Sequence, residues 1–111
     1  MEIQKLMIEI STWSTQQFPT LIGSRGIIAK LSHLKEEITE LQQAVDNNDK
    51  KEISDELADC FMLLLDVAHD LKFTENDIIE FSRAKLAINK GRKWGKPDNN
   101  GVIHHIREFR L

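Results

Sequence analysis

Residues 36–59 read EEITELQQAVDNNDKKEISDELAD, and this stretch decides the fold. Two helical segments flank Asn47-Asn48-Asp49, residue types that leave helices and favour caps and turns. Asp49, with Glu52 three residues on, makes a capping-box-like start for the second segment. The pattern predicts a helical hairpin that turns at Asn48. Residues three apart are neighbours on a helix, so Glu37 with Glu40, and Glu56 with Asp59, each form a two-carboxylate claw. Glu37 and Asp59 lie eleven residues to either side of Asn48, and Glu40 and Glu56 lie eight. The two claws therefore sit at matched depth, roughly 12–16 Å from the turn at about 1.5 Å of rise per residue.

Upstream, the helix entering the hairpin carries Ile27, Leu31, Leu34, Ile38, Leu41 and Val45 on one apolar stripe. Before it, Phe18-Pro19 and Gly23-Ser24-Arg25-Gly26 read as a connecting loop. Ile3, Leu6, Met7, Ile10 and Trp13 recur at helical spacing and predict a first amphipathic helix. Downstream, the chain from Leu57 to Ala68 is apolar almost all round, which predicts a largely buried third helix. Lys72-Phe73 is a short connection, and Thr74 with Asp77 opens a fourth helix through Ile78, Ile79, Phe81 and Leu86 toward Gly91. Residues 95–101 are turn-rich. The expectation is an all-α, four-helix bundle in one domain, residues 1–111. The third helix has more apolar faces than its neighbours in one chain can cover, so oligomerisation is expected to complete the bundle.

Composition narrows the function. A hydrophobic share of 41% and a charged share of 30% are ordinary for a globular chain, and a net charge of −3 gives no reason to bind nucleic acid or an anionic membrane. The longest apolar run, Cys60 to Leu65, is far too short to span a bilayer. Cys60 is the only cysteine, which excludes an intramolecular disulfide and a thiolate metal cluster. The opening Met-Glu-Ile-Gln-Lys lacks a signal-peptide core, and a cytoplasmic protein is expected.

Four carboxylates converging at one depth repel each other, and Asp59 interrupts the most apolar stretch of the chain. Burying unpaired carboxylates costs several kcal/mol per group, so a cation must compensate. Hard oxygen donors without cysteine suit Mg²⁺, with Mn²⁺ as a substitute, rather than Zn²⁺. Glu36 alone reads more simply as a solvated residue. Asp66 and Asp70, further along the same stripe, read as outer-shell partners of the claws or, more simply, as a solvated or subunit-facing edge. Between Ser82 and Pro97 stand six basic residues and no acidic one. Lys85, Asn89 and Arg92 recur at i, i+4 and i+7 on one face. Acid to hold metal and base to hold oxyanion together match a triphosphate.

These residues resemble the all-α nucleoside triphosphate pyrophosphohydrolases of the MazG-like superfamily, whose pattern is Glu-Glu-x-x-Glu on one helix and Glu-x-x-Asp on the next. Here it stands as Glu36-Glu37-Ile38-Thr39-Glu40 and Glu56-Leu57-Ala58-Asp59. A closer similarity, to the phage-type dATP/dGTP diphosphohydrolase branch, runs from about Trp13 to Arg107. It is carried by Trp13, Phe18-Pro19, residues 33–37, residues 85–94 and Lys96-Pro97-Asp98 with Gly101, Val102 and His105. The resemblance implies that Glu37, Glu40, Glu56 and Asp59 bind Mg²⁺ and that Lys85, Asn89 and Arg92 hold phosphates. It also implies a homodimer or homotetramer, a purine (d)NTP substrate, dGTP or dATP, and products (d)NMP and pyrophosphate. If the chain is phage-encoded, it acts in the host cytoplasm.

Within that mechanism Glu37 is the expected general base, with the neighbouring Glu36 raising its proton affinity. Trp13, Phe18 and His33 are candidates for contact with base or sugar, each with a plain structural alternative. The paired His104-His105 and the Asp66–His69 spacing read as structural. Two rivals remain. A di-metal redox bundle draws on Glu-x-x-His pairs, and the chain has none. A non-catalytic helical adaptor accounts for the helices but leaves Asp59 and the level claws without a cause. Within the enzyme class, a pyrimidine or modified dNTP substrate is the alternative.

Overall fold

The computed structural model describes residues 1–107; the last four residues of the expected domain, 108–111, lie outside the described residues. Four helices follow in order: α1 Glu2–Gln17, α2 Gly23–Asp46, α3 Lys50–Asp70 and α4 Glu75–Lys90. Among the described residues the only extended pairing is an isolated antiparallel bridge between Trp94 and His105. The chain forms two compact units, Met1–Asn76 and the part from Asp77 onward. No helix among the described residues is long and apolar enough to cross a membrane.

In the first unit α3 packs against both α2 and α1. Met7 is fully buried, and Ile10, Leu34, Ala44, Cys60, Leu65 and Val67 complete the core. The hairpin turns where the sequence places it. Asn48 takes a positive φ of 53°, a conformation asparagine tolerates better than most residues. Asp49 caps α3, its side chain accepting from the Glu52 backbone N–H at 3.2 Å. At the other end of the unit Gln4 and Glu75 cap each other reciprocally. The Glu75 N–H donates to Gln4 Oε1 at 2.7 Å, and the Gln4 N–H donates to Glu75 Oε1 at 3.2 Å.

Three expectations need correction. The Gly23-Ser24-Arg25-Gly26 segment is not loop but the first turn of α2, and the connection shrinks to residues 18–22. Gly26 is buried, and a Cβ there would overlap the carbonyl carbon and oxygen of Leu21. Gly26 marks a close approach of loop to helix, and Gly23 opens the helix with a positive φ of 63°, a conformation that favours glycine. Second, α3 is not largely buried: Leu57, Phe61 and Leu64 are 57%, 45% and 52% exposed. Two helices cover only part of an all-round apolar cylinder, so the remaining stripe faces outward. Third, Asp66 is no solvated edge, being only 4% exposed. It is held by Lys30, whose ammonium lies 3.0 Å from Asp66 Oδ2 and 2.6 Å from Asp70 Oδ2.

In the second unit, residues 93–106 fold back on themselves. The Ile106 N–H donates to the Lys93 carbonyl, and the Gly95 N–H to that of His104. Asp98 organises the turn by accepting from the N–H groups of Asn100 and Val102, at 2.9 and 3.0 Å. Those two bonds hold its carboxyl below the usual aspartate range.

Candidate active site

The hairpin register brings Glu37, Glu56 and Asp59 together, one ligand oxygen from each within 4.8 Å of the others. The two glutamates face each other across the α2–α3 contact, and Asp59, one turn beyond Glu56, joins from the same helix face. Glu40 does not enter this cluster. It is exposed, but close enough to Glu56 to disfavour a second charge there. Glu36 is exposed and outside the cluster.

The protonation states follow from crowding. Hydrogen bonding with Glu37, together with burial and Glu40, pushes the Glu56 carboxyl up to about 8. Glu37 is held below the usual glutamate range, first by the same contact with Glu56 and then by His33, whose Nε2 is 3.0 Å from Glu37 Oε1. The pair thus keeps a proton on Glu56 and a carboxylate on Glu37. This reverses the sequence expectation for Glu37, whose proton affinity was to be raised by Glu36. Glu36 is exposed, and the carboxyl that Glu37 meets belongs to Glu56. Burial and the Glu37 charge raise Asp59 as well.

Glu37 Oε2 and Glu56 Oε2 are buried without a hydrogen-bond partner. Orphaned carboxylate oxygens are costly in a folded protein, and three converging hard donors fit a divalent cation such as Mg²⁺ or Mn²⁺. No thiolate or imidazole belongs to the set, which disfavours zinc.

A pocket of about 420 Å³ opens beside the cluster, with Glu37 and Asp59 in its lining. Trp13, Phe18 and His33 also line it, so all three residues proposed to meet base or sugar come to one cavity. Trp13 and Phe18 meet edge to face, with centroids 5.5 Å apart. Ile10, Leu21, Ala29, Met62 and Leu63 make most of the remaining wall apolar. Lys30 and Asp66, which the sequence reading had not placed in a site, lie in the same lining. The signal was available: they stand eighteen residues to either side of Asn48, in the register of the claws.

The proposed phosphate residues Lys85, Asn89 and Arg92 belong to the second unit. Arg92 Nη1 donates to Asn89 Oδ1 at 3.2 Å, and Trp94 Nε1 donates to the Asn89 carbonyl at 3.0 Å. The Trp94–His105 bridge sets His105 edge-on to Trp94, with centroids 6.1 Å apart. There the positive charges of Arg92 first, then Arg107 and Lys85, push the imidazole below its ordinary value. His105 therefore belongs to the field of the basic face, although its position in the tail had marked it as structural.

An all-α hairpin presenting Glu-x-x-Glu opposite Glu-x-x-Asp, beside a largely apolar pocket, defines the MazG-like class of nucleoside triphosphate pyrophosphohydrolases; this protein is an enzyme of that class. The dATP/dGTP pyrophosphohydrolase family model matches residues 6–110, and the chain belongs to that family. A dATP/dGTP diphosphohydrolase of Cyanophage S-2L is 38% identical over 104 residues, covering 94% of this chain and 88% of the relative. Among solved structures, the Cyanophage S-2L MazG-like pyrophosphohydrolase bound to dGDP and three catalytic Mn²⁺ ions per active site is similar, with a TM-score of 0.73. It is 34% identical, and the match covers 96% of this chain and 95% of that one.

Proposed function

We propose that the protein hydrolyses purine deoxynucleoside triphosphates, dGTP foremost, to the monophosphate and pyrophosphate with Mg²⁺. Mn²⁺ serves as a substitute metal, and GTP is an acceptable substrate because no residue in the pocket lining stands out as a ribose discriminator. The observation that carries this reading is the Glu37–Glu56–Asp59 cluster at the wall of an apolar pocket that also holds Trp13, Phe18 and His33. The Cyanophage S-2L relatives support it, one being a dATP/dGTP diphosphohydrolase and the other binding dGDP with Mn²⁺.

Glu37, Glu56 and Asp59 would hold the metal, with Glu40 completing the set from its edge. Bound there, the metal supplies charge neutralisation of the triphosphate and a lowered pKa for the attacking water. Glu37, held as the carboxylate, orients that water through Oε2, the oxygen with no partner, while His33 fixes Oε1. Glu36 contributes only negative charge at the rim. Lys85, Asn89 and Arg92 hold phosphate oxygens, and Arg92 is pre-oriented by Asn89. Trp13 and Phe18 offer ring faces and edges to the base, where a purine presents more area than a pyrimidine. Residues 1–111 act as one domain in a homodimer or homotetramer, in the cytoplasm, which is that of the host cell if the chain is phage-encoded.

The test is a panel of dGTP, dATP, GTP, dCTP and dTTP with Mg²⁺ and with chelator, products separated by chromatography. Purine-selective, chelator-sensitive release of pyrophosphate is expected. A pyrimidine preference overturns the substrate, and release of orthophosphate overturns the reaction.

A further inference from the structure

Two helical turns from the metal cluster, the same pocket contains a charged group with no role in hydrolysis. Lys30 and Asp66 are 6% and 4% exposed, and both line the cavity. Lys30 donates to Asp70 and pairs with Asp66 Oδ2. An ammonium has three donors, so one remains. Asp66 Oδ1 is buried and has no hydrogen-bond partner. Two residues of a pocket lining that is otherwise mostly apolar thus carry one spare donor and one orphaned acceptor. A purely structural ion group has no reason to leave a carboxylate oxygen unsatisfied, because that omission is costly.

We propose that Lys30 and Asp66 read the hydrogen-bonding edge of the purine, with Asp70 holding Lys30 in place; this rests on the purine nucleotide reading of the pocket. Asp66 stands seven residues from Asp59 on α3, and Lys30 seven from Glu37 on α2, so both lie about 10 Å along the hairpin from the metal cluster. Sugar and purine together span that distance from an α-phosphate. The smaller pyrimidine, tethered at the same point, stops short of the pair.

The chemistry fits both purines and ranks them. Guanine donates from N1–H and its 2-amino group to Asp66 Oδ1 and accepts on O6 from Lys30. Adenine, moved by one ring position, donates from its 6-amino group to Asp66 and accepts on N7 from Lys30. Guanine brings two donors to the carboxylate and adenine one, so guanine binds more tightly.

N1-methyl-dGTP, which lacks the N1–H donor, tests this against dGTP. For the wild-type enzyme, kcat/KM is expected to fall roughly tenfold to a hundredfold on N1-methylation, the usual consequence of an unsatisfied buried acceptor. Asp66→Asn is expected to lose a larger factor on dGTP than on N1-methyl-dGTP, which keeps only the 2-amino donor to that carboxylate. Equal use of the two nucleotides by the wild type, or equal losses on both in the variant, overturns the proposal and leaves a structural ion group. If Asp66→Asn does not fold, the wild-type comparison decides alone. Calorimetric binding of dGMP and N1-methyl-dGMP to the wild-type protein gives the same discrimination without turnover. Absence of any triphosphate hydrolysis would overturn the proposed function, whereas tighter binding of dGMP than of its N1-methyl derivative would still support the base contact.

Discussion

At the scale of single residues, the site is a problem in crowded negative charge. Asp59 is raised by burial and by the Glu37 charge, so its ionised form is disfavoured until a cation arrives. Asp59→Asn is therefore expected to abolish turnover while leaving the melting temperature of the metal-free protein unchanged or higher. Wild-type turnover at saturating Mg²⁺ would remove Asp59 from the metal site. Glu56 makes a second, pH-dependent expectation. Its carboxyl is raised to about 8 by Glu37, burial and Glu40, so between the ordinary glutamate range and about 8 the metal-free site carries a proton. A metal must displace that proton, because only the carboxylate is a good ligand. Metal affinity is accordingly expected to rise with pH up to about 8 and then level off, with proton release at pH 7 seen by calorimetry in buffers of different ionisation enthalpy. Affinity that is flat between pH 6 and pH 8 would show that Glu56 is not a ligand.

At the scale of elements, Gly26 couples fold to pocket. Replacing glycine by alanine inside a helix normally gains about 1 kcal/mol. Here the new methyl would overlap the Leu21 carbonyl, which is backbone and cannot yield as a side chain does. Overpacking of this kind costs about 1–3 kcal/mol, so Gly26→Ala is expected to destabilise on balance. It should also lower kcat/KM, because Leu21 and Phe18 in the displaced connection line the pocket. Urea unfolding and steady-state kinetics on one preparation check both. The same segment shows where the sequence was hard to read. Gly-Ser-Arg-Gly has the composition of a loop, and only the tertiary approach of Leu21 explains Gly26 in the first turns of α2. The hairpin was legible because helical spacing and a short turn fix which residues stand level; Glu37, Glu56 and Asp59 follow from that alone. Glu40 obeys the same spacing, but as an exposed side chain it stops at the edge. Lys30 escaped notice, and Asp66 passed for a solvated edge, because a lone lysine in an amphipathic helix normally reaches solvent. Their matched distance from Asn48 was the only sign that they meet.

At the scale of the whole molecule, the apolar surface that α1 and α2 leave uncovered on α3 calls for a partner. Leu57, Phe61 and Leu64 recur at i, i+4 and i+7, so their exposure forms one stripe. On α2, Leu31, Ile38 and Val45 are 40%, 44% and 57% exposed and recur every seven residues, a second stripe along the same hairpin. Isolated exposed leucines need no explanation, but contiguous apolar stripes on helices mark interaction surfaces. A second copy of the chain offers stripes of matching shape and charge, and two-fold pairing buries both at once. The protein is expected to run as a dimer or tetramer by light scattering at micromolar concentration. Leu64→Glu, placing a charge in the middle of the α3 stripe, should lower the mass toward that of the monomer, because an unpaired buried carboxylate in an interface costs several kcal/mol. Leu64 is exposed in the single chain, so the substitution should leave the helical circular dichroism of the monomer intact. A wild-type protein of monomer mass would show that the stripes stay open to water, and an unchanged mass for Leu64→Glu would place the subunit contact on another face.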